Sequence, residues 1–248
     1  MLATLTVVIA AGLGLVPPVG SPSASFEITA VDGVRVYAQA YESGNPKAPL
    51  ILLFHQAGSS KSEYAPLAPR LVALGFNAVA VDLRSGGDLY QPPNETVLNL
   101  GRSAKYEEAL PDMEAALSWA EKNRPAAPIY VWGSSYSAAL VFLLAARHPK
   151  EISAVVAFSP SEYLSDKHAV HRAAAKVRVP VFIDSAADPR EIAAARSIYN
   201  AVAAKQKTQY VPRAGIHGSS TLRVDRDPNG AELNWNAITR FLRLTSRP

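Results

Sequence analysis

Short runs of β-branched and apolar residues alternate along the chain with longer segments in which apolar positions recur at helical spacing. That is the pattern of a mostly parallel sheet covered on both faces. Residues 25–43 read as two strands, FEITAV and VRVYAQAYES, joined at Asp32-Gly33, a dipeptide favoured in tight hairpins, and predict an antiparallel edge. Further strands are expected at 49–55 (PLILLFH), 76–84 (FNAVAVDLR), 128–133 (PIYVWG), 152–159 (ISAVVAFS), 179–185 (VPVFIDS) and 208–212 (TQYVP). Helices are expected around 64–74, 111–123, 136–148, 189–204 and 232–244, with a polar loop after Arg84 and an insert at 161–176. Pro111 suits a first helical turn, and Met113, Ala116, Leu117 and Ala120 then share one face. Residues 136–148 are apolar almost all round, as a helix buried against a sheet should be, and Pro149 stops them. The sum is a sheet of about eight strands, six of them parallel, with helices on both faces. No repeat or linker interrupts the alternation, so residues 26–248 read as one domain.

Composition narrows the partners. Hydrophobic residues make up 48% of the 248 and charged residues 19%, a soluble globular balance. The 25 basic and 21 acidic side chains leave a net charge of +4 without a dense Lys/Arg run, which argues against a nucleic-acid partner. The absence of cysteine excludes a disulfide framework, a zinc-thiolate site and a cysteine nucleophile. Residues 1–25 carry no charged side chain, and an apolar run over 2–16 precedes Pro17-Pro18. This reads as the core of a signal peptide, with Ser21/Ser23 or Ser23/Ser25 as cleavage pairs. The run falls short of the roughly 20 residues that span a bilayer. The expectation is therefore a secreted or periplasmic protein without stable membrane insertion once the leader is removed.

Gly133-Ser134-Ser135-Tyr136-Ser137, between a strand and a buried helix, fits a nucleophile elbow centred on Ser135. So sharp a turn requires small residues two before and two after its centre, and Gly133 and Ser137 qualify. Centring it on Ser134 would put Trp132 and Tyr136 there, so the register favours Ser135. The same serine-rich junction also suits a helix N-cap.

A serine nucleophile needs a base. His148 falls in the last turn of a helix, His168 and His171 share the insert, and His55 ends a strand where it would shape a pocket. His217, in the loop after the last strand, is the candidate base. The third member is a carboxylate that orients the imidazole. Asp184 is still inside its strand, whereas Asp188 lies just beyond it and is the candidate, with capping of the helix at Pro189 as its other reading.

Taken together, His55-Gln56-Ala57-Gly58-Ser59, Asp82-Leu83-Arg84-Ser85-Gly86-Gly87, the Ser135 elbow, the Asp188 loop and the His217 loop make residues 26–247 resemble the α/β-hydrolase superfamily. The resemblance is to its small dienelactone-hydrolase-like and esterase branch. Dienelactone hydrolases use a cysteine, which this chain lacks, so here the nucleophile would be serine. The resemblance implies an oxyanion hole made by the backbone amides of Tyr136 and of Gln56 or its neighbour. Residues 84–87 would either line the pocket mouth or form a turn without substrate contact. The chemistry implied is acyl transfer on a small-molecule ester, with no metal or cofactor, at a rather open site because the insert is too short for a large lid. The same triad permits an exported peptidase or amidase, and the fold permits a catalytically silent binding protein.

Overall fold

The computed structural model describes residues 22–246. The expected leader lies outside these residues as far as position 21. Eight strands form one sheet: β1 (Pro22–Thr29), β2 (Arg35–Tyr41), β3 (Leu50–Phe54), β4 (Asn77–Val81), β5 (Ile129–Ser134), β6 (Ile152–Phe158), β7 (Val181–Asp184) and β8 (Lys207–Gln209). Their order is β1-β2-β4-β3-β5-β6-β7-β8. β1 and β2 pair antiparallel, β2 joins β4 antiparallel, and the remaining neighbours are parallel. The expected fold class and edge hairpin are thus observed. β1 starts four residues earlier than the apolar pattern suggested, because Ser23, Ala24 and Ser25 hold on through polar bonds: the Ser25 hydroxyl reaches Gln39 Oε1 at 2.7 Å and Gln39 Nε2 donates to Ala24 O at 2.8 Å. β8 is shorter than expected, since the chain turns away after Gln209 toward Pro212, which has no amide to donate.

Strand alternation sends buried residues to two opposite cores. In β3, Leu50, Leu52 and Phe54 face one side while Ile51 and Leu53 face the other. The first side is covered by α3 (Leu110–Asn123), α4 (Tyr136–Arg147), α5 (Ala169–Ala174) and α6 (Pro189–Ala201); the second by α1 (Ala68–Ala73) and α7 (Ala231–Thr245). α7 presents Trp235, Ile238, Phe241 and Leu242, the spacing of a single helical stripe. α4 is buried along nearly its whole length, as its uniform apolarity predicts.

One helix falls where the sequence suggested only a polar loop. α2 (Glu95–Leu100) is capped by Asn94, whose Oδ1 accepts from the Val97 amide at 2.8 Å, and ends at Gly101 in the left-handed region. A six-residue helix with Thr, Val and Asn has weak intrinsic preference. It is held by tertiary bonds instead: Asn94 Nδ2 donates to Leu83 O at 2.9 Å, and the Thr96 hydroxyl accepts from the Tyr37 amide at 3.0 Å. Arg84, read as a possible pocket residue, is buried away from the site. It forks onto Asp112, with Nη2 to Oδ1 at 2.6 Å, and also pairs with Asp32. Gly86 and Gly87 let that loop lie against residues 58 and 59, since a Cβ on Gly87 would stand 2.7 Å from Gly58 O.

Candidate active site

The carboxyl ends of β3, β5, β6 and β7 and the loop after β8 converge on Ser135, as ligand sites do in open parallel sheets. Ser135 has φ 60° and ψ −121°, the strained turn that the strand-to-helix junction demands. The small-residue rule holds in atoms: a Cβ on Gly133 would lie 2.5 Å from the Ala138 amide nitrogen. Ser137 uses its hydroxyl, donating to Phe54 O at 2.7 Å and accepting from the Ser134 amide at 2.8 Å. Ser134 points away into the protein, where its hydroxyl donates to Glu63 Oε1 at 2.7 Å and accepts the Ser219 amide at 2.8 Å.

Ser135 Oγ lies 2.8 Å from His217 Nε2, and His217 Nδ1 lies 2.8 Å from a carboxylate oxygen of Glu191. With Nδ1–H donating to Glu191, Nε2 is left to accept the Ser135 proton, a tautomer assigned from this network. The structure therefore brings Ser135 and His217 together but does not bring Asp188 to them. Asp188 is the N-cap of α6, its Oδ1 accepting from the amides of Arg190 at 2.8 Å and Glu191 at 3.2 Å. Its short side chain is aimed along the helix axis at its own orphan amides. Glu191, at the third helical position, has one more methylene and leans back over the first turn. Its other oxygen accepts the Ala186 amide at 3.2 Å. Asp-Pro-Arg-Glu is the spacing of a capping box, so the sequence did contain a second carboxylate aimed back at this loop.

Burial pulls the Glu191 carboxyl upward, but hydrogen bonds from His217 and Ser159 and the charge of His217 outweigh it and leave the group below the ordinary glutamate value. Ser159, at φ 54° after β6, also accepts the Gly218 amide at 2.9 Å and so joins the acid to the His217 loop. No composition or spacing signal singled it out.

The amide of Gln56, expected to face the oxyanion, is committed to Glu63 Oε2 at 2.8 Å. Its neighbour Ala57 is partly exposed, and neither its amide nor that of Tyr136, at the start of α4, has a protein acceptor among the described residues. Those two amides are the available pair. His55 is fully buried: Nδ1 donates to Gln56 O at 2.7 Å and Nε2 accepts the Leu83 amide at 2.9 Å, so it holds the loop's shape. Burial above all keeps it neutral, lowering its pKa. Tyr163, from the insert, stands beside Ser135, and burial raises its hydroxyl to about 12. With Tyr106 and Leu164 it lines a groove of 310 Å³ whose charged residues are Lys105, Glu107 and Lys167. Among the described residues no cluster of three or more His, Cys, Asp or Glu side chains is disposed to hold a metal, and His171 instead meets Glu162 at 3.2 Å. No helix among them is long and apolar enough to cross a membrane.

The sequence model of the Hydrolase_4 family, described as serine aminopeptidase S33, matches residues 44–211. No curated protein matches the chain. Among solved structures, the chain is similar to the esterase Pf2001 of Pyrococcus furiosus, at 20% identity over 90% of this chain and 93% of that one, with a TM-score of 0.69. It is also similar to a dienelactone hydrolase from Anabaena variabilis, at 16% identity over 92% and 100%, TM-score 0.72. A third is Est1E from Butyrivibrio proteoclasticus with bound ferulic acid, at 17% identity over 89% and 98%, TM-score 0.69. At these identities the likeness is one of fold, the α/β-hydrolase fold.

Proposed function

Because the chain belongs to the serine aminopeptidase S33 family of hydrolases, we propose that it cleaves small carboxylic esters through an acyl-enzyme on Ser135. The observation that carries this reading is the continuous relay from Ser135 Oγ through His217 to Glu191 at a strained elbow, with two steps of 2.8 Å. His217 Nε2 takes the Ser135 proton as Oγ attacks the ester carbonyl. The amides of Ala57 and Tyr136 hold the oxyanion. The imidazolium, steadied by Glu191, returns the proton to the leaving alkoxide, and water repeats the sequence to release the acid. No residue in this scheme calls for a cofactor or metal.

The same relay serves amide cleavage, and the family's description as an aminopeptidase favours a peptidase as the second reading. A silent binding protein would have no need of a strained serine bonded to a partnered histidine. Fluorophosphonate labelling of the wild type, lost in Ser135→Ala, tests the first step. Relative turnover of matched nitrophenyl esters and nitroanilides then separates esterase from amidase. A Ser135→Ala variant that still takes the label would sink the assignment. We further propose export, supported by the apolar, uncharged run at 2–16, with mass measurement of the secreted product as its test.

A further inference from the structure

We infer that Glu63 is a positioning residue of this site, a buried carboxylate that locks the oxyanion loop, the elbow and the His217 loop into one register without touching substrate. The inference rests on the assignment of Ser135 and His217 above and concerns a group that assignment leaves unused.

Glu63 lies in the short 3-10 turn Lys61–Tyr64 and is fully buried. Its Oε2 accepts the Gln56 amide at 2.8 Å, which fixes the residue immediately before Ala57. Its Oε1 accepts the Ser134 hydroxyl at 2.7 Å, which fixes the residue immediately before Ser135. Ser134 Oγ in turn accepts the Ser219 amide at 2.8 Å, two residues after His217. Close packing enforces the same register, since a Cβ on Gly218 would stand 2.5 Å from Ser134 Oγ. One carboxylate thus holds the residue before the oxyanion amide of Ala57 and the residue before the nucleophile, and through Ser134 it reaches the loop that carries the base.

The Gln56 amide can only donate and the Ser134 hydroxyl donates here, so the ionised form accepts both bonds as they stand. A proton on Oε1 would reverse the Ser134 hydrogen bond and deprive that hydroxyl of its acceptor, and a proton on Oε2 would collide with the Gln56 N–H. Burial raises this carboxyl to about 7, against the opposing hydrogen bonds from Gln56, Ser134 and Ser59 and the charge of Arg223. The other charged or titratable groups facing it are an arginine and two tyrosines. Arg223, after the turn Gly218–Leu222, donates to the Glu63 carbonyl at 3.2 Å. Tyr64 on the same turn and Tyr136 on α4 are held protonated by burial. A carboxyl with a raised pKa is ionised above that pKa and takes its proton below it, so the three loops lose their common anchor as pH falls through about 7.

The test reads kcat/KM for a nitrophenyl ester against pH, normalised to sites titrated with fluorophosphonate. In the wild type both His217 and Glu63 must be deprotonated, so the acid limb should approach a slope of about 2. Glu63→Gln should lower kcat per titrated site by roughly tenfold to a hundredfold, with KM much less affected, and reduce the slope to about 1. Ser134→Ala, which spares the carboxyl, should lower kcat less and keep the steep limb. A purely structural role would reduce the number of titratable sites while leaving kcat per site and the slope unchanged. That result, or a wild-type slope of about 1, would overturn the inference. Both would leave the Ser135 assignment standing, because that assignment fails only if Ser135→Ala is still labelled.

Discussion

Replacing Glu191 with Gln should cripple turnover, whereas replacing Asp188 with Asn should leave it nearly intact. A glutamine amide in place of the carboxylate can donate to His217 Nδ1, which selects the tautomer with its proton on Nε2, facing Ser135. That imidazole is unable to accept the serine proton, and the imidazolium loses its counter-charge. The equivalent change in serine triads costs up to about 10⁴ in kcat. Here the Glu191 side chain is 27% exposed, and water will supply part of what the carboxylate did. We therefore expect a fall of roughly 10³ to 10⁴, or about 4 to 5.5 kcal/mol of barrier. Asn at position 188 is as good an N-cap as Asp, so activity should stay within about twofold and stability within about 0.5 kcal/mol. Initial rates on nitrophenyl acetate, with urea midpoints to certify folding, decide the matter. A folded, inactive Asp188→Asn beside an active Glu191→Gln would refute the geometry from which this prediction is drawn.

Three further outcomes depend on the same atoms. Gly133→Ala should cost about 3 kcal/mol and most of the activity, because its methyl would stand 2.5 Å from the Ala138 amide nitrogen; a wild-type denaturation midpoint would contradict it. Arg84→Met should destabilise by about 3 to 5 kcal/mol, since it strands the buried Asp112 carboxylate, while kcat per folded molecule stays close to wild type, as measured by denaturation and active-site titration. On nitrophenyl esters of increasing acyl length, turnover should peak at short soluble chains without activation by detergent interfaces. The groove that Tyr163 lines next to Ser135 holds only 310 Å³ and carries Lys105, Lys167 and Glu107 on its walls, and a long-chain optimum would refute this.

The parallel sheet was legible because its signal is redundant: Leu50 to Phe54, Ile129 to Trp132 and Ile152 to Phe158 are buried almost without a break and rich in apolar residues, as strands covered on both faces must be. The elbow was legible because a steric rule stands behind it. Asp188 misled for a physical reason as well. Its spacing after β7 is right for an acid, but a carboxylate directly before Pro189 has the orphan amides of α6 within reach, and that local bond wins over a distant imidazole. The distinction between Asp188 and Glu191 depends on which way a helix points its first turn, and one-dimensional spacing carries no such direction.

Gln56 and Ser137 show the same limit from the other side. Counting residues after β3 puts the oxyanion amide at Gln56 or next to it, and what decides between them is the Glu63 carboxylate, whose partner could not be read from the chain. A serine at position 137 satisfies the crowding rule less well than glycine would. Yet its hydroxyl takes the Ser134 amide and gives its proton to Phe54 O, tying the end of β5 to the end of β3 beneath the elbow. A glycine there would leave the Ser134 amide to find another partner in a region closed to water, at a cost of about 1 to 3 kcal/mol, while Phe54 O would keep the Tyr64 hydroxyl at 2.6 Å. The departure from the glycine-flanked motif is thus compensated within the same turn. Restoring the glycine through Ser137→Gly should accordingly destabilise the protein and loosen the elbow, and a Ser137→Gly variant of unchanged stability and kcat would show that the two bonds contribute nothing.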